Sequence, residues 1–254
     1  MSDPTDYARR FGGMTRLHGP VAARLRTAHV VVIGIGGVGS WAAEALARSG
    51  LGRITLIDLD HVAESNINRQ VQALDATLGQ AKVLAMSTRI AQINPDCAVG
   101  CVEEFVTPEN AATLLPPCDA VIDAIDQVRA KAALIAHCRR NRIALVTTGG
   151  AGGRSDPTQV RVDDLSRTVQ DPLASKVRAS LRKEYGFPRE PKKKFGVECV
   201  YSLEQLQRPQ AAACDVDAAA LHGLNCAGYG SSVCVTAAFG LAAAARVLAL
   251  ILRP

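Results

Sequence analysis

Gly34-Ile35-Gly36-Gly37-Val38-Gly39-Ser40, set between the apolar run His29–Ile33 and the helix-forming run Ser40–Ser49, decides the fold of this chain. Residues without a Cβ let the backbone come close to a phosphate. The helix that opens behind them offers free N–H groups and the positive end of its dipole. A second apolar run, Arg53–Asp58, ends on an acid, where a carboxylate hydrogen-bonds the ribose hydroxyls of a bound nucleotide. Gly34, Gly36, Gly37, Gly39 and Asp58 are therefore the expected nucleotide contacts.

Working outward, short β-branched runs alternate with helical ones. Strands are expected at His29–Ile33, Arg53–Asp58, Ala98–Val102, Ala120–Ala124 and Ile143–Thr147. Helices are expected at Ser40–Ser49, stopped by Gly50, at Gln80–Ile93, from Thr107-Pro108 with Thr107 as N-cap, and at Arg129–Asn141. Repeated strand–helix–strand units imply a Rossmann-like α/β fold, a mostly parallel sheet with helices on both faces. After Thr148 the texture changes. Gly149–Gly153 reads as a flexible or tightly turning loop, followed by a strand at Gln159–Val162 and a basic helix over Asp171–Tyr185. A Pro- and Lys-rich loop, a strand at Val197–Ser202, a mobile loop over Leu206–Gly223 and an apolar helix over Ser231–Leu252 complete the chain. The organisation expected is one domain over 1–254, with a nucleotide-binding core at 20–150 and a C-terminal extension of added strands and a hydrophobic helix at 151–254.

A dinucleotide-binding oxidoreductase needs nothing beyond the glycines and Asp58. Here Asp60 and then Ser65-Asn66-Ile67-Asn68-Arg69-Gln70 follow. Such polar density fits a site that handles a triphosphate and a second polar substrate, with ATP split at its α-phosphate; a solvated loop with helix caps has the same composition. Lys82, behind Gly79-Gln80-Ala81, sits where a lysine reaches a phosphate as a point charge, and equally where a surface lysine belongs. Asp123 and Asp126 lie at the carboxyl end of a strand. A carboxylate there holds Mg²⁺ beside phosphates, or caps the helix that follows.

Composition bounds the class. The 254 residues are 48% hydrophobic, 21% charged and 4% aromatic, enough for a full core built from Ala, Val, Leu and Ile. The net charge is +5, and Arg178, Arg182, Lys183, Arg189, Lys192, Lys193 and Lys194 cluster between Lys176 and Lys194 with only Glu184 and Glu190 opposing. That patch suits nucleic-acid phosphates, and a solvated helix face looks the same. Eight cysteines without a Cys-x-x-Cys pair, behind a polar Met1–Gly19 segment, fit free thiols in the cytoplasm. The Ala-rich Ser231–Leu252 tail contains Arg246, so a buried or dimer-interface helix is expected rather than stable membrane insertion.

Gly34–Ser40, Asp58-Leu59-Asp60, Ser65–Gln70, Gly79–Lys82 and Val121–Lys131 together resemble the ubiquitin-activating-enzyme-like (ThiF/MoeB-like) superfamily, whose members use ATP to adenylate carboxylates. By position, the resemblance makes Asp58 the ribose-binding acid and Arg69 and Lys82 the basic groups on the triphosphate. Asn66 lies near the reacting phosphate, Asp126 is the Mg²⁺-linked catalytic aspartate, and Asp60, Asn68, Gln70 and Asp123 line the nucleotide. Further segments are similar to the tRNA threonylcarbamoyladenosine dehydratase family: Arg10–Gly13 with Arg16-Leu17, Val146–Gly153, Asp156–Gln159, Gln170–Leu173 and Val197–Ser202. The likeness runs from about Tyr7 to the C-terminus. It implies ATP-dependent cyclisation of threonylcarbamoyladenosine in tRNA through an acyl-adenylate, with AMP and pyrophosphate released. It also implies a homodimer in which Arg16 reaches the partner subunit's ATP. Ring closure uses a nucleophile already on the substrate, so Cys199 and Cys226 default to structural thiols. A monovalent-cation site of backbone carbonyls and a sulfur-transfer system would leave no mark in the sequence. Adenylation of a ubiquitin-like sulfur carrier is the alternative, disfavoured by the missing Cys-x-x-Cys zinc pairs; a silent nucleotide-binding scaffold and an NAD-dependent dehydrogenase are the other readings.

Overall fold

The computed structural model describes residues 6–207 and 229–253. One sheet contains β1 (His29–Ile33), β2 (Arg53–Ile57), β3 (Ala98–Val102), β4 (Ala120–Asp123), β5 (Ala144–Thr148), β6 (Val160–Asp164) and β7 (Glu198–Ser202), in the order β3-β2-β1-β4-β5-β7-β6. Every neighbouring pair is parallel except β6 with β7. The helices are α1 (Tyr7–His18), α2 (Gly39–Arg48), α3 (Lys82–Ile93), α4 (Ala111–Leu114), α5 (Val128–Arg140), α6 (Pro172–Glu184) and α7 (Val233–Ile251). The added strands do not form a separate layer; β7 pairs directly with β5 and carries the sheet on.

Both faces of the sheet are covered, which is why the central strands read as unbroken apolar runs. Alternate residues of β1 feed opposite cores. Val30 and Val32 pack with Leu46 of α2, Met86 of α3 and Phe239 of α7. Val31 and Ile33 pack with Ala130, Leu134 and Cys138 of α5. A third cluster joins α5 to α6 around Phe195, Cys199 and Tyr201. Strand order reverses at β1, with β2 on one side and β4 on the other, so the Gly34–Ser40 loop leaves the sheet at the switch point where such folds bind ligands.

α7 crosses α2 at very close range. A Cβ on Gly240 would lie 2.4 Å from the Val38 carbonyl oxygen and 2.8 Å from Trp41 Cβ, so only glycine allows the approach. Where the same helix begins, Thr236 lies against Gly37 of the glycine loop; a Cβ on Gly37 would sit 3.3 Å from it. By length and composition α7 passes as a membrane span. In this structure its Val235, Phe239, Ala243, Ala244 and Val247 are buried in the protein core. Arg246, a costly residue in a bilayer, makes a two-pronged ion pair with Glu198 of β7 at 2.7 and 2.9 Å.

One expected helix shifts, one helix is added and one open reading is resolved. The polar N-terminal segment contains a helix, α1, which buries only Phe11. Tyr7 Oη donates to the Gly50 carbonyl at 2.7 Å and Arg10 to the Ile93 carbonyl at 2.9 Å, so tertiary anchors rather than an apolar stripe hold it. The helix expected to open at Thr107 begins instead at Ala111. Thr107 and Asn110 exchange side-chain bonds to each other's backbone N–H and close a turn before it. Gly149–Gly153 is of the tightly turning kind: the Asp171 carboxylate caps α6 through the Ala174 N–H and accepts from the Gly150 N–H at 3.0 Å. The expected mobile loop at Leu206–Gly223 lies outside the described residues from 208 onward.

Candidate active site

The glycine loop is set by contacts that tolerate no side chain. A Cβ on Gly39 would fall 1.8 Å from the Gly34 carbonyl oxygen, and Gly34 itself has φ +83° with the Ala124 carbonyl close by. Gly36 differs: nothing lies within 4 Å of where its Cβ would be. The loop is therefore tightly packed behind and open in front, as a phosphate cradle must be.

Asp58, just past β2, ties the second strand to this loop. One carboxylate oxygen accepts from the Ile35 N–H at 2.6 Å and the other from the Asp60 N–H at 2.8 Å. Burial pushes its carboxyl upward, opposed by the nearby Lys82 ammonium and by these two N–H groups. Lys82 opens α3 and is buried; its ammonium donates to Asp60 Oδ2 at 2.6 Å. Asp58, Asp60 and Lys82 thus form one cluster beside the loop, and Lys82 is not an ordinary surface lysine.

The Ser65–Gln70 segment folds over the glycine loop from the other side. The Arg69 stem packs against Gly37, 3.2 Å from where a Cβ would be, and the Arg69 carbonyl accepts from the Trp41 indole of α2 at 3.0 Å. The guanidinium donates to the Ser65 carbonyl and to Asn68 Oδ1 and makes no ion pair among the described residues, so burial lowers its pKa. Asn68 also donates to the Ser231 carbonyl at 3.3 Å, joining the segment to the start of α7. Asn66 is buried, and its Oδ1 accepts from the Ala63 N–H to fix the turn.

Two residues expected against the nucleotide have other work. Asp123 is completely buried. Its carboxylate takes the Lys131 ammonium at 2.8 Å, the Thr147 hydroxyl at 2.6 Å and the Ile125 N–H at 3.1 Å. As the last residue of β4, in register with Ile33 and Thr147 on its two sides, it faces the interior and pins β5 and α5 beneath the site. Gln70 is also buried; it accepts from Gln72, which donates to the Ile35 carbonyl at 2.9 Å, so the pair braces the loop from behind. Asp126, three residues after Asp123, is half-buried at the carboxyl edge.

Arg16 is not brought to the glycine loop of its own chain. α1 is anchored at Gly50 and Ile93, the carboxyl ends of α2 and α3, on the opposite edge of the sheet. Arg16 is exposed and lies back along α1, its Nη1 3.4 Å from where a Cβ on Gly12 would be. Lys131 and Arg154 are buried cations to which the sequence reading gave no role. Arg154 is buried against Asp171 at 3.6 Å and donates to the Gln170 carbonyl at 2.7 Å, which locks the Gly149–Gly153 turn.

Cys199 is fully buried in β7, and desolvation drives its thiol far upward. A thiol that does not ionise is no nucleophile, so Cys199→Ser should keep wild-type turnover; a loss beyond about tenfold with an unchanged fold would return it to the chemistry. Cys226 lies outside the described residues.

Comparison with known proteins covers nearly the whole chain. The ThiF family matches residues 7–254. The tRNA threonylcarbamoyladenosine dehydratase of Haemophilus influenzae is 51% identical over 247 residues, 96% of this chain and 93% of that protein. The crystal structure of the E. coli tRNA N6-threonylcarbamoyladenosine dehydratase TcdA in complex with ATP superposes with a TM-score of 0.88 at 49% identity, covering 98% of this chain and 97% of that one. The E. coli molybdopterin-synthase adenylyltransferase, a representative of the carrier-activating alternative, is 36% identical over only 48% of this chain. The chain belongs to the ThiF family and, within it, to the tRNA threonylcarbamoyladenosine dehydratase family.

Proposed function

We propose that this protein uses ATP to cyclise threonylcarbamoyladenosine in tRNA, adenylating the threonine carboxylate and releasing pyrophosphate and then AMP. The observation that carries the reading is the packing of Arg69 against Gly37. It anchors a half-buried guanidinium, without a carboxylate partner among the described residues, beside the glycine loop. Attack on an α-phosphate builds negative charge that such a cation offsets. The full-length likeness to dehydratases, one of them solved with ATP, supports the substrate choice over a carrier protein.

In this reading the Gly34–Gly39 backbone and Arg69 hold the phosphates and Asp58 holds the ribose. Lys82, poised on Asp60, supplies a second cation. Among the described residues no three His, Cys, Asp or Glu side chains gather into a metal cage. Mg²⁺ does not require one, since it binds through one or two carboxylates together with substrate phosphates and water. Asp126, at the carboxyl edge, fits as that carboxylate; bound there, Mg²⁺ would neutralise phosphate charge. The carbamoyl oxygen or nitrogen that closes the ring is already on the substrate, so the protein's part is to hold it against the activated carboxyl and keep water out. Free thiols support a cytoplasmic location.

Incubation with ATP, Mg²⁺ and threonylcarbamoyl-modified tRNA, followed by nucleoside mass analysis, tests the reading. A nucleoside lighter by one water with AMP released is expected; an unchanged nucleoside with ATP bound and intact would overturn it. The position of α1 on the far edge of the sheet further supports a homodimer in which Arg16 serves the partner subunit. Arg16→Ala and Asp126→Ala proteins should each be inactive, and mixing them should restore part of the activity, up to about a quarter of wild type by subunit statistics. Absence of any restoration after subunit exchange would place Arg16 outside the partner's site.

A further inference from the structure

The cluster of basic residues after Asp171 is not a uniformly solvated face. Arg178, Arg182, Lys183 and Arg189 line a groove of about 680 Å³ between α6 and the turn that follows it. Two of these cations are half-buried and fixed by neutral partners. Arg178 donates to the Thr168 hydroxyl. Arg182 donates from Nε to the Pro188 carbonyl at 3.2 Å, and its guanidinium lies over the Phe195 ring at 5.2 Å. None of the four makes an ion pair among the described residues. The nearby carboxylate of Asp164 is already occupied by the N–H groups of Ser166, Phe195, Gly196 and Val197. Burial lowers the pKa of Arg178, and the Arg182 charge beside it acts in the same direction. Asp171 acts on Arg178 in the opposite sense without pairing with it; adjacent like charges held in a groove without an ion pair form a site preorganised for an anion, and the planar guanidinium fork suits phosphate oxygens.

We propose that this groove binds the phosphodiester backbone of the RNA substrate, away from the reacting nucleoside. The inference rests on the tRNA reading above and locates the contact. α6 starts at Asp171, whose carboxylate holds Gly150 at the carboxyl edge of β5. At about 1.5 Å per residue, Arg178 and Arg182 lie roughly 10 and 16 Å further along the helix. The groove therefore meets the strand that carries the nucleoside rather than the nucleoside itself. Such contacts fix register and orientation and are read as salt-dependent affinity, independent of base sequence.

The test is a titration of the full-length protein with a tRNA transcript over a series of KCl concentrations. Lys183→Gln/Arg189→Gln removes two exposed charges that make no hydrogen bond in the described structure; adding Arg182→Gln removes a third. The triple variant should bind at least about tenfold more weakly near 0.1 M salt. Its plot of log affinity against log salt should be shallower by about 2, near 0.7–0.9 for each phosphate that is no longer neutralised. The double variant should show an intermediate slope, and ATP affinity should be unchanged in both, which reports an intact nucleotide site. Affinity and slope equal to wild type in the double and triple variants would overturn the groove assignment while leaving the substrate reading standing. A wild-type protein that does not bind tRNA would overturn both.

Discussion

Asp126→Ala is expected to lose ATP–pyrophosphate exchange by at least about 100-fold, in the range found when one preorganised charge-stabilising group is removed, while melting as the wild type does. The segment that presents Asp126 abuts the glycine loop. The Ala124 carbonyl is 2.9 Å from where a Cβ on Gly34 would be, and the Ala124 side chain is 3.4 Å from the corresponding point at Gly39. Asp126 follows two residues further on and is half-buried. Pyrophosphate exchange measured beside a thermal melt separates chemistry from folding. Wild-type exchange in this variant would remove Asp126 from the Mg²⁺ assignment.

Lys131→Met is expected to do the reverse and cost about 3–5 kcal/mol of folding stability, because it strands the fully buried Asp123 charge. Asp123 would keep only the Thr147 hydroxyl and the Ile125 N–H. For a chain of this size the loss corresponds to a fall in melting temperature of about 10 °C. The double variant Asp123→Asn/Lys131→Met removes both charges and should recover more than half of the loss, since a neutral amide is far cheaper to bury. Denaturant unfolding of the wild type, both single variants and the double variant closes the cycle. A single Lys131→Met protein within about 1 kcal/mol of wild type would show that the pair does not hold β4, β5 and α5 together.

These two aspartates, three residues apart, show how far the sequence could be read. The parallel strands were legible because burial on both faces leaves runs such as His29–Ile33 with no polar position past the first, and the predicted limits of β1 and β3 coincide with the observed ones. The glycines were legible because close approach excludes every other residue. Which of two acids after a strand points inward was not, because β4 ends where register with Ile33 and Thr147 closes Asp123 off on both sides. A signal was present nonetheless. Lys131 stands in the inward stripe of α5 with Leu134, Ile135 and Cys138, all buried. A lysine in such a stripe demands an interior anion, and Asp123 is that anion. The burial of Gln70 and Asn66 was not legible, because buried amides and exposed ones have the same letter. Helix α1 escaped notice because its stability comes from Gly50 and Ile93, partners 43 and 83 residues away.

The close crossing of α7 over α2 also sets an order of assembly on the ribosome. The loop around Gly36 is made well before α7, yet the wall behind it at Val38 and Gly37 is supplied by Gly240 and Thr236. About 200 residues separate them, some 10–40 s of synthesis at usual elongation rates. A nascent chain therefore carries its nucleotide motif through the synthesis of those residues without the surface that completes it, and gains a finished cradle only as α7 docks.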